Sequence, residues 1–473
     1  MAALWDAVRQ KGSAMVTISG RRRVGKSRLV DEFLKENRGL RVMVVPKEEK
    51  QVANDFADAL SDDYRPVFNT VKDALEYFFV KSGERILFMD EFPNFLEVNH
   101  SVPIELQRLW DAYKDRTDKI LIVSGSYTGM MDRIFTARKA PLFNRATFKI
   151  LLEPLQEEYI WRILRESIGM QDPVEMIRTY SILGGIPYYY ELMEKQGGKN
   201  ADTMSLFFGL GQLREEGQDV LRQEFGSAYK RYFAILEAIG SGLVSSGEIA
   251  DRIGLRQTTL SKYLISLQLD FKLIQRIVPF GQNPHRSKKG IYLIRDNLLA
   301  FWFSLVYGKL QQPSTEALNT FVGKRFELMC ADFLMTYLRK RGEHIIASSR
   351  WWGSVEVEKG KHEQREIDLI VETNRCLYIG ECKWSSKKAG KKELEHLRQS
   401  ARALKTRKPI TFVLFDRAGF DLKVEDGLLL FDPGCMVPKS DIVLTTGYEA
   451  FPDFRPGGSR FDGDSRRDPG GTP

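Results

Sequence analysis

The sequence predicts an α/β protein whose first sheet is parallel, and three observations favour this class. Short apolar runs alternate with helical stretches over residues 1–155, which is typical of parallel strands that are buried on both faces. A glycine-rich segment, Gly-Arg-Arg-Arg-Val-Gly-Lys-Ser, follows the first apolar run at residues 20–27. A second stretch of alternating strand and helix patterns occupies residues 315–440.

The composition argues against secreted and membrane-spanning proteins. The chain has 473 residues, of which 43% are hydrophobic and 28% charged, enough for about three domains. Its first residues lack the pattern of a signal peptide, and its longest apolar run, residues 298–307, is too short to span a bilayer. The four cysteines are scattered and form no Cys-x-x-Cys pair, which favours reduced thiols in a cytoplasmic protein. The net charge of +8 favours an anionic macromolecular partner.

Five apolar runs predict the strands of the first sheet. They are Met15–Ser19, Leu40–Val45, Ile86–Asp90, Ile120–Ser124 and Phe148–Leu152. Ligands of open α/β sheets bind beyond the carboxyl ends of the strands. Polar residues that follow these runs are therefore candidates for a common site.

The segment at residues 20–27, called the P-loop below, fits the pattern Gly-x-x-x-x-Gly-Lys-Ser/Thr between a strand and a helix. Gly20 and Gly25 let the backbone curl so that its N–H groups converge on phosphate oxygens. Lys26 would place its charge on the β- and γ-phosphates, and Ser27 would offer a hydroxyl to Mg²⁺. The alternative is a basic turn between a strand and a helix. The predicted nucleotide-binding residues are Gly20, Arg21, Arg22, Arg23, Val24, Gly25, Lys26, Ser27, Arg28 and Ser126.

Polar residues also stand at the ends of two later runs, and Arg145 follows a loop and precedes the last run. Asp90 would hold Mg²⁺ and Glu91 would polarise the attacking water, unless the pair is a plain strand end. Either Ser124 or Ser126 would contact the γ-phosphate, with a simple Ser/Gly turn as the alternative. Arg145 would act on a neighbouring subunit, or would be a solvated surface arginine.

The middle of the chain changes character twice. Residues 156–228 are helical and charged, and residues 229–300 predict a winged helix-turn-helix. Its predicted parts are a helix over residues 231–241, a capping box at Ser245 and Glu248 that opens a helix over Glu248–Ile253, a helix over Gln257–Leu269, and apolar runs over Leu273–Val278 and Ile291–Ile294. The candidate DNA contacts are Arg256, Gln257, Thr258, Thr259 and Lys262 on the second helix pattern, with Arg286, Lys288 and Lys289 between the two runs. The alternative is a module used only for protein contacts.

Residues 315–440 contain two carboxylates and a lysine at strand positions. Asp368 is expected to open a strand, while Glu381 and Lys383 share one face of the next strand. Such a group can hold a divalent metal and activate water for phosphodiester cleavage. The alternative is a pair of ordinary amphipathic strands. Two helices are expected beside this group, Gly323–Tyr337 with Glu327 as a further metal ligand and Lys391–Leu404 with Gln399 nearby.

The first part of the chain resembles the AAA-like, signal-transducing P-loop ATPases that are common in archaea. The shared phrases are Gly-Arg-Arg-Arg-Val-Gly-Lys-Ser, Asp-Glu-Phe, Gly-Ser, Leu-Glu-Pro-Leu and Gly-Gly-Ile-Pro-Tyr, at 20–27, 90–92, 125–126, 152–155 and 184–188. The resemblance implies ATP rather than GTP, Mg²⁺, and a helical lid over residues 156–228. Members usually carry an Arg-Glu pair before the P-loop helix that contacts the base, and this chain lacks it. The pocket for the base is therefore unassigned. The alternative is that the chain begins at a late start codon.

The last part resembles the PD-(D/E)XK nuclease superfamily, in the divergent version found at the carboxyl end of the same ATPases. The matching phrases are Glu-Ile-Asp-Leu at 366–369 and Gly-Glu-Cys-Lys-Trp at 380–384. Together the resemblances imply a cytoplasmic ATPase that acts on DNA and carries a restriction-endonuclease-like α/β domain. The alternatives are a nucleotide-regulated switch with an inactive binding module at its end, and a nuclease held off by the ATPase. A homo-oligomer or a protein partner is compatible with each of these functions. Residues 452–473 are predicted to be disordered.

Overall fold

The computed structural model describes residues 1–61, 64–126, 128–358, 360–423 and 425–438. The chain divides into two units, Met1–Phe326 and Glu327–Pro473, and each has a sheet of its own. The finer boundaries given above stay predictions, and the predicted disordered tail lies outside the described residues. Within those residues, no helix is both long and apolar enough to cross a membrane.

Five parallel strands form the main sheet of the first unit, in the order β2-β3-β4-β1-β5. They are β1 (Ala14–Ser19), β2 (Leu40–Met43), β3 (Ile86–Asp90), β4 (Ile120–Gly125) and β5 (Phe148–Leu151). All five predicted runs are confirmed as strands, and their ends differ from the prediction by at most two residues. The three central strands are almost entirely buried, because helices cover both faces of the sheet.

Seven helices belong to this sheet: α1 (Ala2–Arg9), α2 (Lys26–Glu36), α3 (Glu49–Ala59), α4 (Val71–Val80), α5 (Phe95–Val98), α6 (Val102–Tyr113) and α7 (Thr128–Phe135). On one face, Leu4 of α1 and Phe33 of α2 pack with Val16 and Ile18 of β1. On the other face, side chains of α3, α4 and α6 pack with Met15 and with the alternate residues of β3 and β4. Because successive side chains of a strand point to opposite faces of the sheet, the strands contribute to two apolar layers, one on each face. These layers hold the ends of the strands in place.

A helical segment follows β5 within the same unit. Its helices are α8 (Glu157–Glu166), α9 (Pro173–Leu183), α10 (Pro187–Lys195) and α11 (Glu216–Phe225). Gly185 lies where a side chain would not fit, since an added Cβ would be 2.3 Å from the carbonyl oxygen of Leu155. This glycine therefore lets the turn before α10 pack closely against the chain that leaves the sheet.

The segment after α11 contains three helices, a two-stranded hairpin and a short helix. They are α12 (Tyr229–Gly240), α13 (Ser246–Ile253), α14 (Gln257–Leu269), β6 (Ile274–Ile277), β7 (Ile291–Ile294) and α15 (Asn297–Phe301). The predicted capping box is present, since the Ser245 side chain accepts from the Glu248 backbone N–H while the Glu248 carboxylate accepts from the Ser245 backbone N–H. The assignment of these elements to a winged helix-turn-helix stays a prediction.

The second unit contains a mixed sheet in the order β12-β11-β10-β9-β8. Helix α16 (Thr315–Lys340) begins in the first unit, and the remaining elements are β8 (Ile345–Glu358), β9 (Lys361–Thr373), β10 (Leu377–Lys383), α17 (Lys391–Ala401), β11 (Ile410–Asp416), β12 (Leu428–Phe431) and α18 (Pro433–Met436). The expectation that Asp368 opens a strand is wrong, because β9 begins at Lys361 and pairs with β8 in a long antiparallel hairpin. The polar first half of β9 has no buried face and gives no apolar signal in the sequence.

Candidate functional site

Glycine geometry positions the P-loop between β1 and α2. Gly20 has φ +157°, and an added Cβ would lie 2.3 Å from the carbonyl oxygen of Leu152. Gly25 has φ +101° and caps the amino terminus of α2 in the left-handed conformation. Because only glycine adopts these positions without strain or overlap, the loop is fixed by its own sequence.

Lys26 is held inside the loop at the first turn of α2. Its Nζ donates to the carbonyl oxygens of Gly20 (2.9 Å) and Arg21 (3.0 Å) and to Ser126 Oγ (2.8 Å). Burial lowers the pKa of Lys26, and the nearby Glu91 and Asp90 carboxylates oppose that shift. The ammonium therefore lies between the P-loop and the end of β4, at the carboxyl edge of the sheet.

Ser27 and Asp90 lie in direct contact at this edge. Ser27 Oγ donates to Asp90 Oδ2 over 2.7 Å, and the other carboxylate oxygen accepts from Ser124. Arg41 Nη2 is 3.0 Å from Asp90 Oδ2. A hydroxyl and a carboxylate are ligands that Mg²⁺ takes in phosphate sites, so these two residues fit the role that the sequence predicts for them.

Glu91 has φ +54°, in the left-handed region that a glutamate rarely adopts. Its carboxylate accepts from the backbone N–H of Ser126 (3.2 Å) and from the Ser126 hydroxyl. The two serines that the sequence leaves open have different contacts, since Ser126 contacts Lys26 and Glu91 whereas Ser124 contacts Asp90; which of them meets the γ-phosphate stays a prediction. Strained backbone of this kind is found at functional sites.

The arginines of the P-loop contact segments that are far away in sequence. Arg21 pairs with Asp296, Arg22 with Gln223, and Arg23 with Glu216. The Arg23 guanidinium also lies 4.2 Å from the centroid of the Tyr188 ring. These partners are missed by the sequence analysis, since no motif or periodicity marks them.

Glu224 of α11 also lies near the P-loop. It is 8% exposed, and burial raises its pKa to about 7, against the lowering effects of Arg21 and Lys26 and with a further raising effect of Glu91. This glutamate was also missed by the sequence analysis. Its carboxyl group is near two cations, Arg21 and Lys26, that are among the predicted nucleotide-binding residues.

Two predicted P-loop residues and Arg145 are placed apart from these contacts. Val24 is buried, and Arg28 Nη1 pairs with Glu191 at 3.0 Å on the exposed side of α2. Arg145 Nη2 is 2.8 Å from Asp111 Oδ2 of the same chain, and its Nη1 donates to the carbonyl oxygen of Phe143. A role of Arg145 toward a neighbouring subunit stays a prediction.

The candidate DNA contacts lie mostly on the surface. Of the named side chains, Thr259 is half-buried and the others are exposed: Arg256, Gln257, Thr258, Lys262, Arg286, Lys288 and Lys289. The first group lies at the start of α14, and the second lies between β6 and β7.

In the second unit, the predicted carboxylates gather with two cations. Arg350 Nη2 is 2.6 Å from Glu327 Oε2 and 3.9 Å from Asp368 Oδ1. Lys383 Nζ is 2.5 Å from Glu381 Oε1. Burial raises the pKa of both Glu327 and Glu381. The structure therefore brings the four predicted residues together and adds Arg350, which the sequence analysis missed because it lies at an irregular position of β8.

The three carboxylates of this cluster pair with two cations of the chain itself, Arg350 and Lys383. Asp368 Oδ2 also accepts from the backbone N–H of Cys382 over 3.0 Å, and Gln399 accepts instead from Arg365 at 3.5 Å. Within the described part of the chain, no group of three or more His, Cys, Asp or Glu residues is arranged to hold a metal ion. A divalent ion would bind here only if the pairs with Arg350 and Lys383 separated, and metal binding by Glu327, Asp368 and Glu381 stays a prediction.

Two family models match the chain. Residues 2–193 match an ATPase domain predominantly from Archaea, and residues 304–395 match a family described as archaeal and bacterial proteins of unknown function. The parallel sheet and the glycine geometry of the P-loop agree with the first match: the amino-terminal part of the chain is similar to P-loop ATPase domains of archaeal type.

Individual proteins are similar over longer stretches. The chain is 27% identical over 406 residues to an uncharacterized protein of Methanocaldococcus jannaschii, covering 82% of this chain and 86% of that one. A Walker-type ATPase of Pyrococcus abyssi is 20% identical with a TM-score of 0.47, over 64% of this chain and 94% of that chain. The ORC2 protein of Aeropyrum pernix is 13% identical with a TM-score of 0.41, over 68% and 92%.

Proposed function

We propose that the protein binds ATP with Mg²⁺ at the P-loop and hydrolyses it. The observation that carries this proposal is the convergence of Lys26, Ser27, Asp90, Glu91 and Ser126 at one sheet edge, where Ser126 is bonded to Lys26 and Glu91, and Ser27 to Asp90. They come from the start of α2, which follows β1, and from the ends of β3 and β4, and these three strands are neighbours in the sheet. The match to an archaeal ATPase domain supports the same reaction.

Each residue has a defined task in this proposal. Bound Mg²⁺ supplies positive charge to the phosphates, and Ser27 and Asp90 are the residues that would hold it. Lys26 binds phosphate oxygens as a point charge. Glu91 accepts a hydrogen bond from the attacking water and thereby orients it. Ser126 holds the Glu91 carboxylate and the Lys26 ammonium in one place.

A pair of variants tests this assignment. We expect Lys26→Ala to weaken ATP binding at least tenfold, and Glu91→Gln to keep binding while hydrolysis falls by roughly a hundredfold or more. The matched control is Lys35→Ala. Lys35 lies on the same helix as Lys26, and its exposed ammonium pairs with Glu32. Isothermal titration and a phosphate-release assay give the two quantities. Wild-type hydrolysis by Lys26→Ala would overturn the assignment.

Interaction with DNA is the second part of the proposal. It is supported by the exposed polar and basic side chains at the start of α14 and between β6 and β7, and by the net charge of +8. In this reading residues 229–300 work as a winged helix-turn-helix in a cytoplasmic protein. If the same surface contacts only proteins, the nucleotide site controls partner binding instead.

Strand cleavage by the second unit is a separate candidate function. The gathering of Asp368, Glu381 and Lys383 favours it, whereas the pairing of Glu327 with Arg350 speaks against it. The test is cleavage of DNA with Mg²⁺ or Mn²⁺, with and without ATP, by the wild type and by Asp368→Ala and Lys383→Ala. Cleavage that is lost in both variants would support a nuclease, and no cleavage by the wild type would leave the unit as a binding module.

A further inference from the structure

Two carboxylates from later segments pair with the arginines of the P-loop. Asp296, directly before α15, pairs with Arg21, whose side chain is 17% exposed, and Glu216 of α11 pairs with Arg23. Glu224, two turns further along α11, is near enough to Arg21 and Lys26 for both to lower its pKa. We call Glu216, Glu224 and Asp296 the acidic latch. Its members approach the loop from two elements that no motif connects to nucleotide binding.

Two members of the acidic latch are held in place by a second contact. Asp296 Oδ1 accepts from the backbone N–H of Leu299 over 2.7 Å and so caps α15, while Oδ2 pairs with Arg21. Glu216 Oε1 accepts from the Tyr189 hydroxyl over 3.0 Å, while Oε2 pairs with Arg23. Both carboxylates are therefore presented to the P-loop in fixed orientations by buried structure.

The acidic latch and a nucleotide need the same cations. Arginine forms bidentate pairs with carboxylates and also with phosphates, and phosphates at the loop would add negative charge beside Glu224, Glu216 and Asp296. Like charges a few ångströms apart repel strongly in a partly desolvated site. The loop cations therefore cannot serve both sets of anions in the arrangement seen here.

We propose that nucleotide phosphates displace the acidic latch from Arg21 and Arg23, so that ATP binding releases α11 and α15 from the P-loop. This inference rests on the proposed binding of ATP at that loop. The two elements flank α12–β7 in sequence, so release loosens both ends of the segment proposed to contact DNA. Coupling is reciprocal, because whatever holds the latch closed lowers the affinity for nucleotide.

The competition between the acidic latch and nucleotide phosphates is tested by measuring the nucleotide affinity of variants in which one latch carboxylate is replaced by its amide. Asp296→Asn keeps a capping side chain, and Glu216→Gln keeps an acceptor for Tyr189. We expect each change to tighten binding of Mg·ATP by about fivefold or more, the lower range of measured couplings between sites. The matched control is Glu191→Gln, which neutralises the exposed partner of Arg28 on α2 and should change affinity less than about twofold.

Hydrogen exchange provides a second readout on the full chain. Addition of ATP to the wild type should speed amide exchange in Glu216–Phe225 and Asn297–Phe301, and Asp296→Asn should show faster exchange in Asn297–Phe301 without ATP. Unchanged or weaker nucleotide affinity in both latch variants would overturn the acidic latch while leaving the ATP site intact. If the wild type fails to bind ATP, or if Lys26→Ala binds it normally, the proposed function itself is overturned.

Discussion

At the scale of single residues, buried charges determine how the P-loop meets its ligand. Lys26 is only 5% exposed, and its ammonium is satisfied by two carbonyl oxygens and a hydroxyl. Asp90, at 1% exposure, accepts from two serines and pairs with Arg41. In this network Lys26 and Asp90 each have partners from the chain itself. In the proposal above, nucleotide phosphates bind by exchanging these partners.

The pKa of Glu224 predicts a pH dependence of nucleotide affinity. Burial raises this pKa to about 7, so the carboxylate is charged above neutrality and uncharged below it. The groups that face it are Arg21 of the P-loop, Lys26 of α2 and Glu91 after β3. Because the ionised form repels phosphates, we expect affinity for ADP to rise as the pH falls from 8 to 6.

The control for this prediction is Glu224→Gln, which removes the titration and keeps the shape of the side chain. The ratio of variant to wild-type affinity should be close to one at pH 6 and about fivefold at pH 8. Titrations of ADP at both pH values measure it, and the ligand's own protonation cancels in the ratio. A ratio independent of pH would contradict the prediction.

At the scale of elements, close packing fixes α11 beside the P-loop. Trp302 is 1% exposed and its indole N–H donates to the carbonyl oxygen of Arg214 over 2.7 Å. An added Cβ at Gly217 would lie 2.3 Å from the Trp302 ring. The glycine thus lets α11 approach the indole closely, which in turn places Glu216 and Glu224 toward the P-loop.

Gly217→Ala should destabilise the first unit despite the better helix propensity of alanine. The overlap with a buried indole costs about 1–3 kcal/mol, more than the gain of at most about 1 kcal/mol from replacing a helical glycine. Gly247→Ala in α13 is the control, since its Cβ would meet only Gln257 Nε2 at an ordinary 3.5 Å. Thermal unfolding should show a lower first transition for Gly217→Ala alone. Equal transitions in the two variants would refute this account of α11.

At the scale of the whole molecule, the charge excess predicts how DNA binding responds to salt. The chain carries 71 Lys and Arg against 63 Asp and Glu, which is a modest excess. The position of the basic residues on the surface therefore matters more for DNA binding than the net charge. The loop between β6 and β7 presents Arg286, Lys288 and Lys289 to solvent. Each phosphate contact contributes about 0.9 to the slope of log affinity against log salt.

Replacing these three residues with alanine should therefore lower the slope by about 2 to 3 units and weaken binding at low salt. The matched control replaces Lys11, Lys50 and Lys72, three exposed lysines of the ATPase domain. Fluorescence anisotropy with a duplex at several salt concentrations measures both slopes. Identical slopes for the two triple variants would remove the loop from the DNA interface.

Part of the fold could be predicted from the sequence because it depends on residues that are close together in the chain. Five apolar runs gave the five strands of the first sheet, and the helix predicted over Gln257–Leu269 has the same bounds in the structure. The P-loop and the capping box at Ser245 were found because their residues lie within a few positions of one another. Such features depend on short-range backbone geometry and on regular burial, which leave a direct pattern in the chain.

The sequence by itself determined the α/β class, the P-loop, and the strand end at Asp90. Tertiary structure alone decided that Glu216 and Asp296 pair with loop arginines some 190 to 275 positions away, and that Arg350 lies among the carboxylates of the second unit. Pairing of buried charges depends on which segments pack against each other, and neither periodicity nor spacing encodes that. Folding brings these charges together because a buried arginine left without an anion would lose its hydration without compensation.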